Sequence, residues 1–409
     1  MKRTEALIYD ALRTPRGLGR AATKDKPGGC LSSCAPHDLV VRLIGALDER
    51  NPHLLSNIAS LTLGCVGQVA AQGGHLALVS RLASNVPNNV PVKTLNNYCV
   101  SGLTAVNDAA MGAEICKKGL HIAGGVESMS SVGFLADQAT YYTEKAFSNK
   151  LKWAPPIMGA ELIATLENYS KSDLDEITLR SHLLADSAWE RGHYKDSVMP
   201  VMDTEGTVLL ERDELIRGNL TLEKLAAMPP AFAQQGETGF DNMVLKEHPQ
   251  LNSIKHVHSI ANCPGMADGA ALLVIGNRES GDAAGLTPKA RIVAKVETGG
   301  DPILQLTGGL DALEILLAEN ALSIDDFDRI EFMEAFAAPT LKFLRSFKPD
   351  IDKVNVNGGH IAMGHPMGAT GAILLTSLLH ELERCDGTLG LLVAQGAGGI
   401  GSGIIIERV

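Results

Sequence analysis

The sequence runs through the same order of segments twice, once near its start and once near its end. In the first half an apolar segment leads to Cys99, a long helical pattern follows, and the next apolar segment contains Ala-Gly-Gly at 123–125. In the second half a glycine-rich stretch leads to His365, followed by a long helical pattern and a segment ending in Ala-Gly-Gly at 397–399. Alternating strands and helices predict an α/β protein with mixed sheets covered by helices. We therefore expect an internal duplication.

Strands are predicted by apolar, β-branched segments bounded by glycine, and helices by apolar residues at helical spacing. The predicted strands of the first half are EALIYDALRTP, IASLTLGCV, VPVKTLNNYC and LHIAGGVESMS, the last breaking at its Gly-Gly pair. Those of the second half are ARIVAKVETGG, FDRIEFMEAFA, KVNVNGG, GTLGLLVAQGAGG and the terminal SGIIIERV. The predicted helices are DLVVRLIGALDER, HLALVSRLA, GLTAVNDAAMGAEICKKG, GLDALEILLAENAL, TLKFLRSF and GATGAILLTSLLHELERC.

The middle of the chain, residues 128–266, has a different composition. Proline- and glycine-rich stretches (KWAPPIMG, MPPAF, QQGETGFDNM) surround one strong helical pattern, SDLDEITLRSHLLADSAWERG. Long irregular insertions commonly shape a binding site. We expect an N-terminal domain of residues 1–127 plus 267–287, an inserted loop domain of residues 128–266, and a C-terminal domain of residues 288–409.

The overall composition narrows the classes of partner. The chain has 409 residues, 45% of them hydrophobic, and a formal net charge of −11. No cluster of Lys and Arg is present to neutralise a phosphate backbone, so we expect no nucleic-acid partner, while a small anion needs only a local patch. No apolar run reaches the roughly 18 residues of a membrane span, and the first residues lack a secretory apolar segment. We expect a cytoplasmic protein.

The seven cysteines (30, 34, 65, 99, 116, 263 and 385) are odd in number and widely scattered. In a chain without an export signal this favours free thiols over disulfides. Cys30, Cys34 and His37 lie close together in CLSSCAPH, but zinc requires a fourth ligand, usually from a second clustered pair. We expect a loop there and no metal site.

A glycine pattern near the C-terminus imitates a dinucleotide-binding loop. Gly396, Gly398 and Gly401 follow an apolar segment in G-x-G-x-x-G spacing. That fingerprint needs a following helix and an acidic residue about 20 residues later. Only eight residues follow Gly401, and they have the β-branched character of a strand. The nucleotide interpretation is therefore excluded by length.

Cys99 is the first candidate for chemistry. It lies in NNYCVSGLTAV, between a predicted strand and a predicted helix with small residues in its first turn. The free N–H groups and the dipole at a helix N-terminus lower the pKa of a thiol toward the nucleophilic thiolate. The alternative is a buried structural cysteine, a common position for intracellular cysteines. Local chemistry alone leaves both open.

His365 is the second candidate. It lies in NVNGGHIAMGHPMGATGA, where five glycines occur between Gly358 and Gly371. Such glycine density requires tight backbone turns, and the position of His365 before a long helix mirrors that of Cys99. As a general base it could accept the thiol proton and then stabilise a thioester oxygen. A solvated loop histidine is the alternative, which the mirrored placement disfavours.

Together, six motifs resemble the thiolase family of CoA-dependent acyl transferases over nearly the whole chain. They are NNYCVSGLTAV, AGGVESMS, ANCPGMADGAA, FMEAFAAP, NVNGGHIAMGHPMGATGA and GAGGIGSGIIIE. The resemblance implies an α/β fold of duplicated βαβαβαββ domains in five α-β-α-β-α layers with an inserted loop domain. It also implies homodimers or homotetramers, CoA and acyl-CoA as substrates, and no permanently bound cofactor. Cys99 matches the family's nucleophile and His365 the base that activates it.

The sequence also departs from the family. A second cysteine usually begins the terminal glycine loop, and Gln395 stands there; an amide cannot move protons at neutral pH. Met333 replaces the Asn or His that in the family binds a catalytic water or the thioester oxygen. Pro229 replaces a basic residue that in the family lies near the CoA phosphates. His360 stands where a small residue is usual, and a surface or packing role is favoured over compensation for the missing groups. Ala397, Met333 and Phe336 are the residues that we expect near the thioester oxygen and the substrate.

Three functions follow from these differences. The first is an acyl-CoA acyltransferase that forms acyl-Cys99, with 3-oxoacyl-CoA thiolysis or acyl-CoA condensation weakened by Gln395. The second is an acyl-CoA thioester hydrolase, and the third is a catalytically impaired acyl-CoA-binding or partner subunit. Loss of a general acid or base at position 395 typically slows a reaction 10²- to 10⁴-fold, while acyl transfer to Cys99, with His365 as its base, can survive that loss. The sequence does not specify the acyl chain length.

Overall fold

The computed structural model describes residues 4–115 and 118–409. Its strands are β1 Leu7–Arg13, β2 Gly17–Leu18, β3 Ile58–Gly64, β4 Val92–Leu95, β5 Leu120–Ser128, β6 Val201–Met202, β7 Val208–Leu210, β8 Ala267–Gly276, β9 Ala290–Gly299, β10 Arg329–Phe332, β11 Leu389–Gln395 and β12 Ile400–Arg408. Its α-helices are α1 Pro36–Arg50, α2 Leu76–Leu82, α3 Ser101–Ile115, α4 Thr140–Thr143, α5 Lys145–Lys150, α6 Pro156–Leu166, α7 Lys171–Glu190, α8 Leu222–Ala226, α9 Ala233–Gln235, α10 Asp241–Glu247, α11 Arg278–Ala284, α12 Gly308–Asn320, α13 Ala337–Phe347, α14 His360–Met363 and α15 Thr370–Cys385.

The main sheet consists of two halves with the same pairing pattern, along the path β10-β11-β12-β9-β1-β8-β5-β3-β4. In the first half β3 is parallel to β4 and β5, and β8 is antiparallel to both β5 and β1. In the second half β10 is parallel to β11, and β12 is antiparallel to both β11 and β9. The halves join where Leu7 and Ile8 of β1 pair with Arg291 and Ala290 of β9. The predicted internal duplication is confirmed.

Helices pack on both faces of each half and complete the five layers. Helices α3 and α15 form the central layer, since their apolar residues share one core with strands of both halves. Helices α1 and α2 cover the outer face of the first half, and α12 and α13 that of the second. Strand β8 shows why: alternate residues of a strand point to opposite faces, so Leu272 packs in the outer core and Leu273 in the central one. This is the predicted fold class.

Two predicted strands differ from the structure. KVNVNGG forms only an isolated bridge between Val354 and Ile330, because Asn355 has a left-handed φ of 46° that interrupts an extended chain. The Asn355 side chain instead accepts from the backbone N of Phe332 at 2.8 Å and donates to its carbonyl at 2.9 Å. The second error concerns LHIAGGVESMS, whose strand β5 does not break at Gly124-Gly125 but continues to Ser128. There the Gly125 Cα lies against the chain at Gly368, with no room for a Cβ.

Residues 128–266 form mainly short helices and loops around the long helix α7. Helix α6 packs on α13, with Met158, Ala338 and Leu341 in one apolar cluster. A buried ion pair also fixes this segment to the sheet: Arg13 of β1 donates to both carboxylate oxygens of Asp213, at 2.8 and 2.9 Å. No helix in the described part of the chain is long and apolar enough to span a bilayer. The end of the predicted helix GLTAVNDAAMGAEICKKG includes residues 116 and 117, which lie outside the described residues.

Candidate active site

Cys99 lies in a tight turn between β4 and α3. The turn places Tyr98 at a left-handed φ of 47°, and Asn96 Oδ1 accepts from the backbone N of Tyr98 at 2.9 Å. Ser101 fixes the turn from the helix side: its hydroxyl donates to the Tyr98 carbonyl at 2.5 Å and accepts from Asn97 N at 2.8 Å. Cys99 is therefore held at the helix entrance, partly exposed.

His365 lies in the loop between α14 and α15 and faces Cys99. Its Nε2 is 3.0 Å from the Cys99 Sγ, and its Nδ1 is 2.7 Å from the Thr370 hydroxyl. Its backbone N donates to the Gly265 carbonyl at 2.8 Å, and the preceding Gly364 has a φ of 90°, which favours glycine. For Nε2 to accept the thiol proton, Nδ1 must carry the other ring proton and donate it to Thr370. The hydroxyl can accept that N–H, so the contact supports the tautomer that acts as a base.

The resting pair is a neutral thiol and a neutral imidazole. Burial, followed by the Glu127 carboxylate, raises the pKa of Cys99 to about 12, outweighing the backbone N–H groups of Ala397 and Cys99 that lower it. The backbone N–H at the helix entrance lowers the pKa of Cys99 as predicted, but the expected net shift toward the thiolate is wrong because burial reverses it. Burial, followed by the positive charge of Arg16, lowers the pKa of His365 to about 4. The thiol proton must move to His365 as the sulfur attacks.

The terminal glycine loop faces the thiol. The backbone N–H of Ala397 lowers the pKa of the Cys99 thiol, and both Ala397 and Cys99 line the two cavities that meet there. Gly398 and Gly399, at φ 72° and 83°, turn the chain back into β12. A backbone N–H that favours the Cys99 thiolate also favours negative charge that develops beside the sulfur during acyl transfer.

Gln395 and Met333 lie behind this surface and line neither of the two cavities. Gln395 is fully buried at the end of β11, where its Nε2 donates to the Met333 carbonyl at 3.2 Å. The Met333 side chain packs in the central core. Phe336, by contrast, lines the second cavity together with His365. The structure thus brings Cys99, His365, Ala397 and Phe336 together at the cavities. The side chains of Gln395 and Met333 are buried and line neither cavity.

Two neighbours of the pair are absent from the sequence-based prediction. Thr370 holds His365, but a threonine in the first turn of a helix has no distinctive pattern. Glu127 is fully buried and accepts hydrogen bonds from the backbone N of Val66, Gly67 and Gly368 at 2.9 to 3.0 Å. Glu127 thus joins the loop after β3 to the loop that precedes α15. Its position as the only carboxylate in the apolar strand β5 could have marked it in the sequence.

His360 is a third buried histidine at the site. Its ring packs edge-on against that of His365, with centroids 5.4 Å apart, and it is fully buried. Among the described residues neither ring nitrogen has a hydrogen-bond partner. Burial, followed by the positive charge of Arg16, holds the pKa of His360 well below its usual value. His360 therefore packs as a neutral ring against His365.

Comparisons with known proteins identify the family. The family model described as "Thiolase, N-terminal domain" matches residues 7–243, and "Thiolase, C-terminal domain" matches residues 286–408. The chain belongs to the thiolase family. Thiolases are acyltransferases that work on CoA thioesters, and the chain is a member of that enzyme class.

The relatives cover the chain from end to end. The beta-ketoadipyl-CoA thiolase of Pseudomonas aeruginosa is 34% identical, over 99% of this chain and 99% of its own. The 3-ketoacyl-CoA thiolase of Serratia proteamaculans is 32% identical, over 98% and 99%. Among solved structures, the Bacillus anthracis acetyl-CoA acetyltransferase is 29% identical with a TM-score of 0.84, covering all of both chains. The human mitochondrial 3-ketoacyl-CoA thiolase is 27% identical with a TM-score of 0.84, covering 99% of each.

Proposed function

We propose that this thiolase transfers acyl groups between CoA thiols through an acyl-Cys99 intermediate. The observation that carries the proposal is the 3.0 Å contact between Cys99 Sγ and His365 Nε2, with Nδ1 held by Thr370. The thiol proton moves to Nε2 as the sulfur attacks the thioester carbonyl carbon. The Ala397 N–H stabilises charge at that centre, and collapse breaks the bond to CoA, whose sulfur takes the proton back from His365. A second CoA thiol reverses these steps.

Carbon–carbon bond chemistry is the step that Gln395 impairs in this proposal. Thiolysis of a 3-oxoacyl-CoA breaks the C2–C3 bond and leaves an enolate that needs a proton at C2. Condensation needs the reverse proton removal. Gln395 can do neither, because an amide does not exchange protons at neutral pH, and its Nε2 is occupied by the Met333 carbonyl. Thioester exchange needs no such proton and is expected to be the faster reaction.

Two reactions measured side by side test the proposal. Exchange of labelled CoA into acetyl-CoA requires only acyl transfer, whereas CoA-dependent loss of acetoacetyl-CoA requires carbon–carbon cleavage. We expect rapid exchange and slow thiolysis. Gln395→Cys is expected to raise thiolysis at least tenfold without raising exchange, and Gln395→Ser, which shortens the side chain without adding a thiol, is the control.

Three results would contradict the proposal. If no labelled CoA is exchanged, the protein is a non-catalytic acyl-CoA-binding subunit. Release of free acetate faster than exchange would identify a thioester hydrolase. Thiolysis that matches exchange in the native protein would show that Gln395 impairs nothing.

The proposed organisation keeps the predicted boundaries. Residues 1–127 and 267–287 form the N-terminal thiolase domain, 128–266 the inserted loop domain, and 288–409 the C-terminal domain. Support comes from β8, which follows the insertion yet pairs with β1 and β5, and from the matched C-terminal family segment, which begins at 286. The cytoplasmic location, the homo-oligomeric state and the lack of a permanently bound cofactor stay predictions.

A further inference from the structure

A cavity of about 200 Å³ opens directly beside the Cys99 thiol, and its wall is aromatic. It is called the aromatic cavity below. Neighbouring rings stand at an angle to one another: the Tyr141 and Tyr142 centroids are 6.3 Å apart, and those of Tyr142 and Trp153 are 5.6 Å apart. Such surfaces favour a further ring in an edge-on or offset arrangement. The aromatic side chains of the lining are Tyr98, Phe134, Tyr141, Tyr142 and Trp153.

The charge of this lining is one-sided. Among the described residues that line the cavity, Asp137 is the only charged one, and none is Lys, Arg or His. A carboxylate on the far end of an acyl chain would lose hydration without gaining a cationic partner, and it would be repelled by Asp137. The ketoadipyl group, which appears in the name of the 34%-identical relative, ends in such a carboxylate. The aromatic cavity is therefore poorly suited to that acyl group.

The CoA arm of a thioester has a separate route to the same thiol. The second cavity also includes Cys99 and, in addition, His365 and Phe336. The backbone N of Gly19 donates to the carbonyl of Met266, which lines this cavity. The Asp137 carboxylate repels the CoA phosphates from the aromatic cavity, which favours the second cavity for the CoA arm.

We infer that the aromatic cavity holds an uncharged acyl group that carries an aromatic ring, with Trp153 and Asp137 as the residues that set this specificity. The inference rests on the proposed acyl transfer for its route to Cys99. It deepens that proposal by naming the substrate class, which the sequence alone left open.

The first test compares acylation rates of the full-length protein with acetyl-CoA, 3-phenylpropanoyl-CoA and succinyl-CoA, by quenched intact-mass measurement. We expect 3-phenylpropanoyl transfer to be at least tenfold faster than succinyl transfer at equal concentration. Trp153→Ala is expected to lower the ratio of phenylpropanoyl to acetyl rates at least tenfold. Phe147→Ala, at a partly exposed aromatic outside the cavity lining, is the control and should leave that ratio unchanged. Asp137→Arg is expected to raise the succinyl rate several-fold relative to acetyl.

A binding measurement separates this inference from the proposed acyl transfer. Cys99→Ser protein is titrated with the same thioesters by calorimetry, which requires no chemistry. We expect at least tenfold tighter binding of 3-phenylpropanoyl-CoA than of succinyl-CoA. If that preference holds while native protein takes up no acetyl group, acyl transfer is wrong and the cavity assignment stands. Equal or tighter binding of succinyl-CoA, or a Trp153→Ala variant that keeps the ring preference, would overturn the assignment.

Discussion

The hydrogen bond between Thr370 and His365 gives the sharpest test of the proton-transfer geometry. Thr370→Val removes the hydroxyl 2.7 Å from Nδ1 but keeps the size and branching of a fully buried side chain. The ring N–H then has no partner, or the ring adopts the tautomer with the proton on Nε2, which cannot accept the thiol proton. Leaving a buried polar group unpaired costs about 1–3 kcal/mol. Since about 1.4 kcal/mol corresponds to a factor of ten in rate, acylation of Cys99 should slow roughly 10- to 100-fold.

The same helix supplies a matched control. Thr376 is also fully buried, and its hydroxyl donates to the Ala372 carbonyl at 2.8 Å, away from the site. Thr376→Val should destabilise the fold by a similar amount and leave the single-turnover acylation rate within twofold of native. The assay is rapid-quench acylation by acetyl-CoA, with denaturant unfolding of both variants alongside. Equal acylation rates in the two variants would refute the assignment of Thr370 as the residue that positions His365.

Two further predictions concern stability. Burial lowers the pKa of His182 from its usual 6.5 to about 4. Between pH 6.5 and pH 4 the unfolded chain therefore binds a proton at His182 that the folded chain excludes. The free energy of unfolding should fall by up to about 3 kcal/mol as the pH is lowered through this range. His182→Gln should flatten that part of the profile in urea unfolding, whereas His53→Asn, at an exposed turn, should not. Gly401→Ala would place a Cβ 2.0 Å from the backbone of Gly308 and should prevent folding or lower Tm sharply. Gly45→Ala lies in α1, where none of the described atoms comes within 4 Å of the new Cβ. It should raise the free energy of unfolding by about 0.5–1 kcal/mol. An unchanged Tm for Gly401→Ala, or a pH profile unaffected by His182→Gln, would contradict the packing described.

Sequence reasoning located the reactive pair because the duplication places each member at an equivalent position. Cys99 and His365 each precede a long helix, and those helices, α3 and α15, form the central layer together. Residues 266 positions apart therefore meet at 3.0 Å. The alternation of apolar, β-branched segments likewise predicted most strands of the main sheet, but it missed β8, whose ten residues pair with both β1 and β5.

What sequence reasoning missed depends on contacts that have no local pattern. KVNVNGG has the alternation of a strand, but the Asn355 amide replaces the backbone ladder with its own bonds to Phe332. The pKa of Cys99 could not be judged from its helix, because the burial and the Glu127 carboxylate that raise it come from the tertiary fold. Gln395 was placed correctly at the start of the glycine loop, yet only the structure shows its side chain turned toward the Met333 carbonyl.

The most direct measurement of the central claim is a mass determination after brief incubation with acetyl-CoA. We predict one acetyl group per chain, mapped by peptide digestion to Cys99, lost on addition of CoA and absent from Cys99→Ser. His365→Asn should form the same adduct far more slowly, because the thiol keeps its proton. An unmodified native protein, or an adduct that persists in Cys99→Ser, would contradict the claim that Cys99 carries the acyl group.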